Sequence, residues 1–581
     1  MEIGRNKYRL LNENLPLAYI QEALHQLKKD RIIERIWEKD HTVWSDRPEE
    51  IADRLGWLQS YHLPAESLRE IQELVEQARS AGYTDALLVG MGGSSMAPEV
   101  FSRVFGAQDG WLELHVLDST DPGAVLDMQK RLDPYKTLFI VSTKSGGTVE
   151  TVSLMKYFYN TTVKAVGIEN TGEHFIAITD PGSSLEKAAR ELNFRKIFLN
   201  NPHIGGRYSA LSYFGLVPAA LTGVDLEKLL QNAEAMAVTA RTSKNPLEGG
   251  NTAAWLGAAL GILGDRGRNK ITLILSPPIQ PFGAWIEQLI AESTGKDGKG
   301  LLPVDGETLA EPESYAFDRL FIYFRLDGNT VPDDKVLHLK DAGHPVIQLS
   351  LQDKYDLGGE FFRWMMATAV AGWAMDINPF DQPNVESAKI LARDMVSAYR
   401  DRGELPAFKS DLEVDGISVY AGFGADDLAQ VWRDFMLQAN PGTDESKDRS
   451  YVAIQAYLKP NPETDRVLQV LRDTIQTRYR MAVTVGYGPR FLHSTGQLHK
   501  GDAGNGLFIQ LTAAEPEDVA IPARAGIKQS SISFGVLKAA QALGDRQALL
   551  DAGRKVIRFH FDRDIKAAIE KLAGAVPRAG K

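Results

Sequence analysis

Five short apolar runs, ALLVG (86–90), LELHVLD (112–118), TLFIVST (137–143), FIAITD (175–180) and KIFLN (196–200), follow one another with helix-like segments between them. Strands joined through helices are expected to lie parallel, in a sheet whose two faces are covered. A second series begins after the glycine-rich stretch LEGGN (247–251). It holds KITLILS (270–276), LFIYFRL (320–326) and HPVIQLSL (344–351), then SVYAGF, YVAIQAYL, MAVTVGYG and GLFIQL. With 581 residues the chain exceeds what one core can hold. The reading is therefore α/β, with two doubly wound, mostly parallel domains. A helical N-terminal extension is expected over 1–49, a first domain over 50–235, and a second over 236–581 that includes C-terminal additions. The helical texture of the first part rests on Leu17, Ile20, Leu24, Leu27, Ile32 and Ile36 at helical spacing. No fixed-period repeat is visible, though two similar halves are compatible with an old duplication.

Composition narrows the function classes. Acidic residues outnumber basic ones 76 to 65, for a net charge of -11, which argues against a broad nucleic-acid or membrane footprint. An anion bound by this chain must meet a local site. The sequence has no cysteine, which excludes disulfides, thiolate nucleophiles and Cys-ligated metals and fits a reducing compartment. The first residues, MEIGRNKYRLLNENLPLAYIQ, lack the uninterrupted apolar core of a secretory signal, and no window approaches the ~20 apolar residues of a membrane span. A cytoplasmic protein is expected. His493 and His499 stand six apart without an acidic third ligand, and neither H-E-x-x-H nor an EF-hand loop occurs, so no metal is expected.

Two loops carry the chemistry. VGMGGSSMAPEVF (89–101) follows a strand and opens a helix, where glycines and the free amides of a helix start can cradle phosphate. A dinucleotide site competes for this loop, since Gly90 and Gly92 begin a G-x-G-x-x-G and Asp118 ends the next strand. The third glycine is Ser95, which leaves that match incomplete. IVSTKSGGTVETVSLM (140–155) has the same placement and offers Thr143, Ser145 and Thr148 as hydroxyl donors beside Gly146 and Gly147. Any one of these hydroxyls could be an ordinary helix cap. Two such loops at the carboxyl ends of successive strands point instead to a phosphomonoester pocket.

GMGGSS, STKSGGTVET, GGRYS (205–209), EQLIAESTGK (287–296) and INPFDQPNVESAK (377–389) occur in an order that resembles the phosphoglucose isomerase family, built from two sugar-isomerase domains. The resemblance runs from about residue 50 to 395. It is nearest in flavour to the isomerase half of fused transaldolase/glucose-6-phosphate isomerase proteins, through INPFDQP and the tail GYGPRFLHSTGQLHKG (486–501). It implies interconversion of glucose 6-phosphate and fructose 6-phosphate through ring opening and a cis-enediol, with no cofactor or metal. A related substrate, mannose 6-phosphate or a sulfonated sugar, stays open, as does a non-catalytic sugar-phosphate sensor.

The resemblance also assigns roles. Gly93, Ser94, Thr143, Lys144, Ser145 and Thr148 match the phosphate-binding positions, Glu292 the catalytic base, and Gln288 a substrate-binding position one helical turn earlier. Arg207 matches the residue that stabilises the enediolate, and Arg207→Ala is expected to lower turnover far more than stability. Lys389 aligns with the ring-opening lysine and Gln382 with a sugar- or phosphate-contacting glutamine. The family histidine usually lies between the Glu and Lys motifs, but here HSTGQLHKG places it at His493, with His499 as the fallback. The displacement leaves open whether it is supplied by the same chain or by a homodimer partner. Residues 396–485 offer no site, only helices with apolar faces.

Overall fold

The computed structural model describes residues 7–10, 16–243, 250–442 and 449–577; Leu247–Gly249 of the glycine-rich boundary lie outside them. The chain order of strands is β1 (Lys7–Leu10), β2 (Asp85–Gly90), β3 (Glu113–Leu117), β4 (Thr137–Ser142), β5 (Phe175–Thr179) and β6 (Lys196–Leu199). These are followed by β7 (Lys270–Leu275), β8 (Leu302–Val304), β9 (Arg319–Leu326) and β10 (Val346–Leu351). The last strands are β11 (Leu412–Val414), β12 (Ile417–Tyr420), β13 (Tyr451–Tyr457), β14 (Val483–Tyr487), β15 (Gly506–Ala513), β16 (Ala520–Pro522), β17 (Ser530–Ser533) and β18 (Lys555–Phe561).

The first sheet has the order β3-β2-β4-β5-β6 and is parallel throughout. Strand order reverses between β2 and β4, and open α/β sheets bind ligands outside the carboxyl ends of strands at such a crevice. The two Ser/Thr loops are the segments that leave those two strands. The second sheet repeats the layout. β10-β9-β7-β8 are parallel, and β1 adds antiparallel to the β10 edge.

Beyond these two sheets lies a third. The strands that continue the second series in sequence form their own sheet, β11-β12-β18-β15-β13-β14, with β18, β15, β13 and β14 parallel and the β11-β12 hairpin added at the edge. Its parallel strands follow the same order as those of the second sheet. Apolar burial explains the separation. Residues between Ile20 and Phe380 share one continuous core, whereas Ile417 to Val576 close around a core of their own. The third unit docks through two apolar seams: Ala291, Leu302 and Val304 meet Tyr451, Leu498 and Phe508, and Ile521, Phe534 and Leu537 join the core of the first sheet with Leu87, Val89 and Phe139.

The helices that matter for the site are α1 (Met96–Phe105) after β2, α2 (Val149–Val166) after β4, α3 (Phe282–Thr294) after β7, α4 (Glu386–Arg402) and α5 (Phe534–Asp551). Leu17–Lys29 and Ile32–Trp37 form two helices, whereas Lys7–Leu10, within the segment expected to be a helical extension, is the edge strand β1 of the second sheet. Among the described residues no helix is long and apolar enough to cross a membrane.

Candidate active site

Helix α3 is buried along nearly its whole length, with Glu287 and Glu292 as its partly accessible acids. Gln288 and Glu292 are four residues apart and share one face. The Gln288 amide Nε2 donates to Glu292 Oε2 at 3.1 Å and to the His493 carbonyl at 3.0 Å, while its Oε1 is buried without a hydrogen-bond partner. A buried amide oxygen without a protein donor remains available as an acceptor.

Arg207 meets the same face from the short turn Gly206–Tyr208. Its side chain is 2% exposed and all three nitrogens are used. Nε donates to Ser293 Oγ at 2.7 Å, Nη1 to Gln382 Oε1 at 2.8 Å, and Nη2 to the carbonyls of Pro379 and Asp381 at 2.8 and 2.9 Å. Nη1 also stands 3.3 Å from Glu292 Oε1. Because Ser293 follows Glu292 in the helix, the guanidinium and the carboxylate are positioned by one rigid element. The loop of residues 378–382 is held from its other side by Lys296, whose Nζ donates to the Asn378 and Asp381 carbonyls and to Asp381 Oδ1 at 2.6–2.7 Å. Burial, followed by the Arg207 charge, presses the Lys296 ammonium down to about 8.

The first loop reaches this cluster through its glycines. Gly92 turns at φ +57°, and a Cβ on Gly93 would lie 1.9 Å from the Gly206 carbonyl oxygen. Only a residue without a side chain lets the β2 loop close on the turn that carries Arg207. Ser94 is buried beside it, and its carbonyl accepts from Ser142 Oγ at 3.1 Å. Asp118, the acid that a dinucleotide site would use, is occupied by Ser95 Oγ at 3.0 Å and by Arg490 at 3.2 Å.

In the second loop Thr143 Oγ1 and Thr148 Oγ1 lie 3.0 Å apart, and Ser145 Oγ accepts from the Gly147 amide at 3.3 Å. Thr148 is the residue preceding α2, yet its hydroxyl makes no cap hydrogen bond, so it is not spent on the helix. Lys144 is in the loop, but its ammonium is committed to Asp180 and to the Pro202 carbonyl at 2.8 Å. The expected lysine cation is thus balanced by a carboxylate, because Asp180 follows β5 at the same end of the sheet.

His493 arrives from the third unit, on the short turn Arg490–His493 after β14. It belongs to the same chain as every other residue of the cluster. Its Nε2 bonds Glu150 Oε1 at 3.0 Å. Glu150 is in the first turn of α2 and only 3% exposed. Burial by itself would raise the Glu150 carboxyl, but the His493 ring, the helix amide and the nearby Lys389 charge outweigh it and hold the group below the usual range. Nδ1 of His493 makes no hydrogen bond within the described residues. The fallback, His499, is a core residue: 2% exposed, set between Phe491 and Phe508, and kept neutral by burial and by the charges of Lys500 and Arg554.

Lys389 is one turn into α4, with its side chain 44% exposed and its Nζ 3.6 Å from Glu386. It bonds none of the other site residues, although its charge is felt at Glu150. The structure thus brings Glu292, Gln288, Arg207, Gln382 and His493 into contact, packs Gly93 behind them, and leaves Lys389 at the rim. Sequence reasoning passed over Glu150, Ser293 and Lys296, all inside the quoted motifs. An acid in a helix's first turn reads as a dipole partner, and nothing local marked Glu150 as buried.

One group of three acid and histidine side chains close enough to share an ion occurs among the described residues: Asp85, Glu113 and His115. It lies at the amino ends of β2 and β3, away from the loops, and its members are already paired: His115 with Asp85 at 2.9 Å and Glu113 with Arg131 at 2.7 Å.

Comparison with known proteins gives a consistent picture. A family model described as phosphoglucose isomerase matches residues 64–305. A protein of Rubrobacter xylanophilus named glucose-6-phosphate isomerase is 31% identical over 373 residues, covering 56% of this chain and 85% of the relative. A Thermus thermophilus protein of the same name is 30% identical over 387 residues, covering 58% and 89%. Among solved structures, a hypothetical protein from Thermus thermophilus superimposes with a TM-score of 0.56 at 27% identity, covering 67% of this chain and 99% of its own. A glucose-6-phosphate isomerase from Chlamydia trachomatis gives 0.57 at 18% identity, covering 70% and 90%, a likeness of fold.

Proposed function

The chain belongs to the phosphoglucose isomerase family, and from that premise we propose that it interconverts glucose 6-phosphate and fructose 6-phosphate. The observation that carries the proposal is the placement of the Glu292 carboxylate 3.3 Å from a buried guanidinium, on a helix whose Gln288 lies against Gly92 of the first loop.

The hydroxyls of Ser94, Thr143, Ser145 and Thr148 hold the phosphate at the carboxyl ends of β2 and β4. In ring opening, the C1 hydroxyl loses a proton, the bond between C1 and the ring oxygen breaks, and the ring oxygen gains a proton. The unbonded Nδ1 of His493 and the ammonium of Lys389 take these roles. Its bond to Glu150 fixes the tautomer of His493 by holding the proton on Nε2. Glu292 then removes the C2 proton, and the electron pair moves to the carbonyl oxygen to give the enediolate. The C2 hydroxyl proton passes to O1, and as C2 becomes the carbonyl, C1 takes back the proton held by Glu292, which gives the open-chain ketose.

Arg207 stabilises the negative charge of the intermediate. Its other donors are anchored by Ser293, Pro379 and Asp381, so it needs no reorganisation when that charge develops. Gln288 offers its unmatched Oε1 to a sugar hydroxyl, and Gln382 orients Arg207 Nη1. We place the activity in the cytoplasm, where phosphorylated sugars, too polar to cross a bilayer, are retained.

The test is a coupled assay of the purified chain with glucose 6-phosphate, mannose 6-phosphate and a sulfonated glucose, with product identified by NMR. Conversion of glucose 6-phosphate with the highest kcat/KM is expected. A clear preference for either other sugar would overturn the substrate assignment, and absence of turnover with all three would overturn the enzymatic reading.

A further inference from the structure

Helix α5 of the third unit sends one side chain into the catalytic cluster. Gln541 is 4% exposed, and its Nε2 donates to Glu150 Oε1 at 2.6 Å, the oxygen that also bonds His493. Its Oε1 accepts from Thr120 Oγ1 at 2.8 Å, and Thr120 is fully buried after β3. The amide is oriented by both partners. An ionised carboxylate can only accept, so the nitrogen must face Glu150, and the Thr120 hydroxyl is then left to donate to the oxygen. One turn earlier, Lys538 clamps the same helix to Asp121 at 2.6 Å and to Glu515. Gln541 therefore has little freedom to swing away.

We propose that Gln541 is a positioning residue for ring opening, which orients Glu150 and, through it, the imidazole of His493. The inference rests on the isomerase reading given above. It makes the third unit more than a carrier of the histidine, because one helix of that unit also grips the partner the histidine depends on. The other polar and charged groups near the Glu150–His493 pair are Lys389 on α4, Asp118 after β3 and the buried Tyr457 hydroxyl on β13. Asp545, further along α5, is taken up by Lys500 at 2.6 Å.

Removing the amide donor takes a hydrogen bond from the ionised form of Glu150, so the pair binds its proton at higher pH. A charged hydrogen bond of ordinary strength corresponds to a shift of about one pH unit. In Gln541→Leu the acidic limb of the kcat/KM profile is expected to move up by about that amount. Anomer interconversion, followed by NMR exchange, should fall about 10-fold, with KM nearly unchanged and solvent exchange at C2 less affected. Thr120→Val keeps the volume and every catalytic group but frees the amide, and it should shift the limb in the same direction by less. This second variant decides the matter if Gln541→Leu does not fold.

Folded variants with the wild-type pH profile and anomer exchange would overturn the positioning role. A wild-type chain without aldose–ketose conversion would instead overturn the isomerase reading, so the two failures are distinguishable.

Discussion

Replacing Glu292 with glutamine separates chemistry from architecture, because the structure assigns this carboxylate few structural duties. Arg207 keeps its bonds to Ser293, Gln382, Pro379 and Asp381 when the carboxylate is lost, and only the 3.3 Å contact is weakened. The new amide still has one oxygen to offer either Arg207 or Gln288, so one donor goes unmatched. The stability cost is then about 1–2 kcal/mol. The rate effect is larger, since loss of a positioned general base typically removes 10²–10⁴-fold, or about 3–5 kcal/mol of transition-state stabilisation. Deuterium exchange at C2 of the sugar phosphate, followed by NMR, reads this step directly, and the denaturant midpoint reads the fold. Exchange should fall by at least about 100-fold, with sugar-phosphate binding retained. A folded variant that still exchanges at more than about a tenth of the wild-type rate would place the base elsewhere.

Arg207→Ala is a less clean probe than the sequence implies: it strips the donor from four acceptors and should cost about 3–5 kcal/mol of stability along with turnover, so an unchanged denaturant midpoint would refute the network. Arg207→Lys keeps the charge but cannot serve four acceptors from one nitrogen, and kcat should fall more than the midpoint. Gly93→Ala forces a methyl to within 1.9 Å of the Gly206 oxygen; melting should report a loss of at least about 1–3 kcal/mol and kcat should drop as Arg207 is displaced, whereas a neutral result would contradict the close approach. Lys296 titrates at about 8 in the fold against 10.5 ordinarily, so between those values the unfolded chain holds more protons and stability rises with pH. The contribution is about 3 kcal/mol, and urea titrations at pH 7.5 and 10.5 should show that rise reduced in Lys296→Met.

Alternating strand and helix patterns, with Ser/Thr-Gly loops after two strands, were enough to place the first sheet and the loops at the carboxyl ends of those strands. Those features are local. Each strand's apolar run and each loop's glycines lie within a dozen residues, and the parallel arrangement follows from the connections. The motif resemblance brought out Arg207, Gln288, Glu292 and Gln382, which the fold then joins. Residues 396–485 gave no site in sequence, yet they build β11 to β14 and so carry the turn on which His493 is presented.

What only the tertiary structure decided is which separated polar groups meet. His493 and Glu150 are 343 residues apart, and Gln541 and Glu150 are 391 apart. A buried polar side chain has no periodic signature, since its environment is made by other segments. The same acid that caps a helix in solvent becomes, once covered by a turn and a helix of the third unit, the hydrogen-bond partner of a histidine. Local sequence set the two glycine-rich hydroxyl loops at the carboxyl end of the first sheet, whereas packing between distant units set which polar groups meet Glu150 and His493.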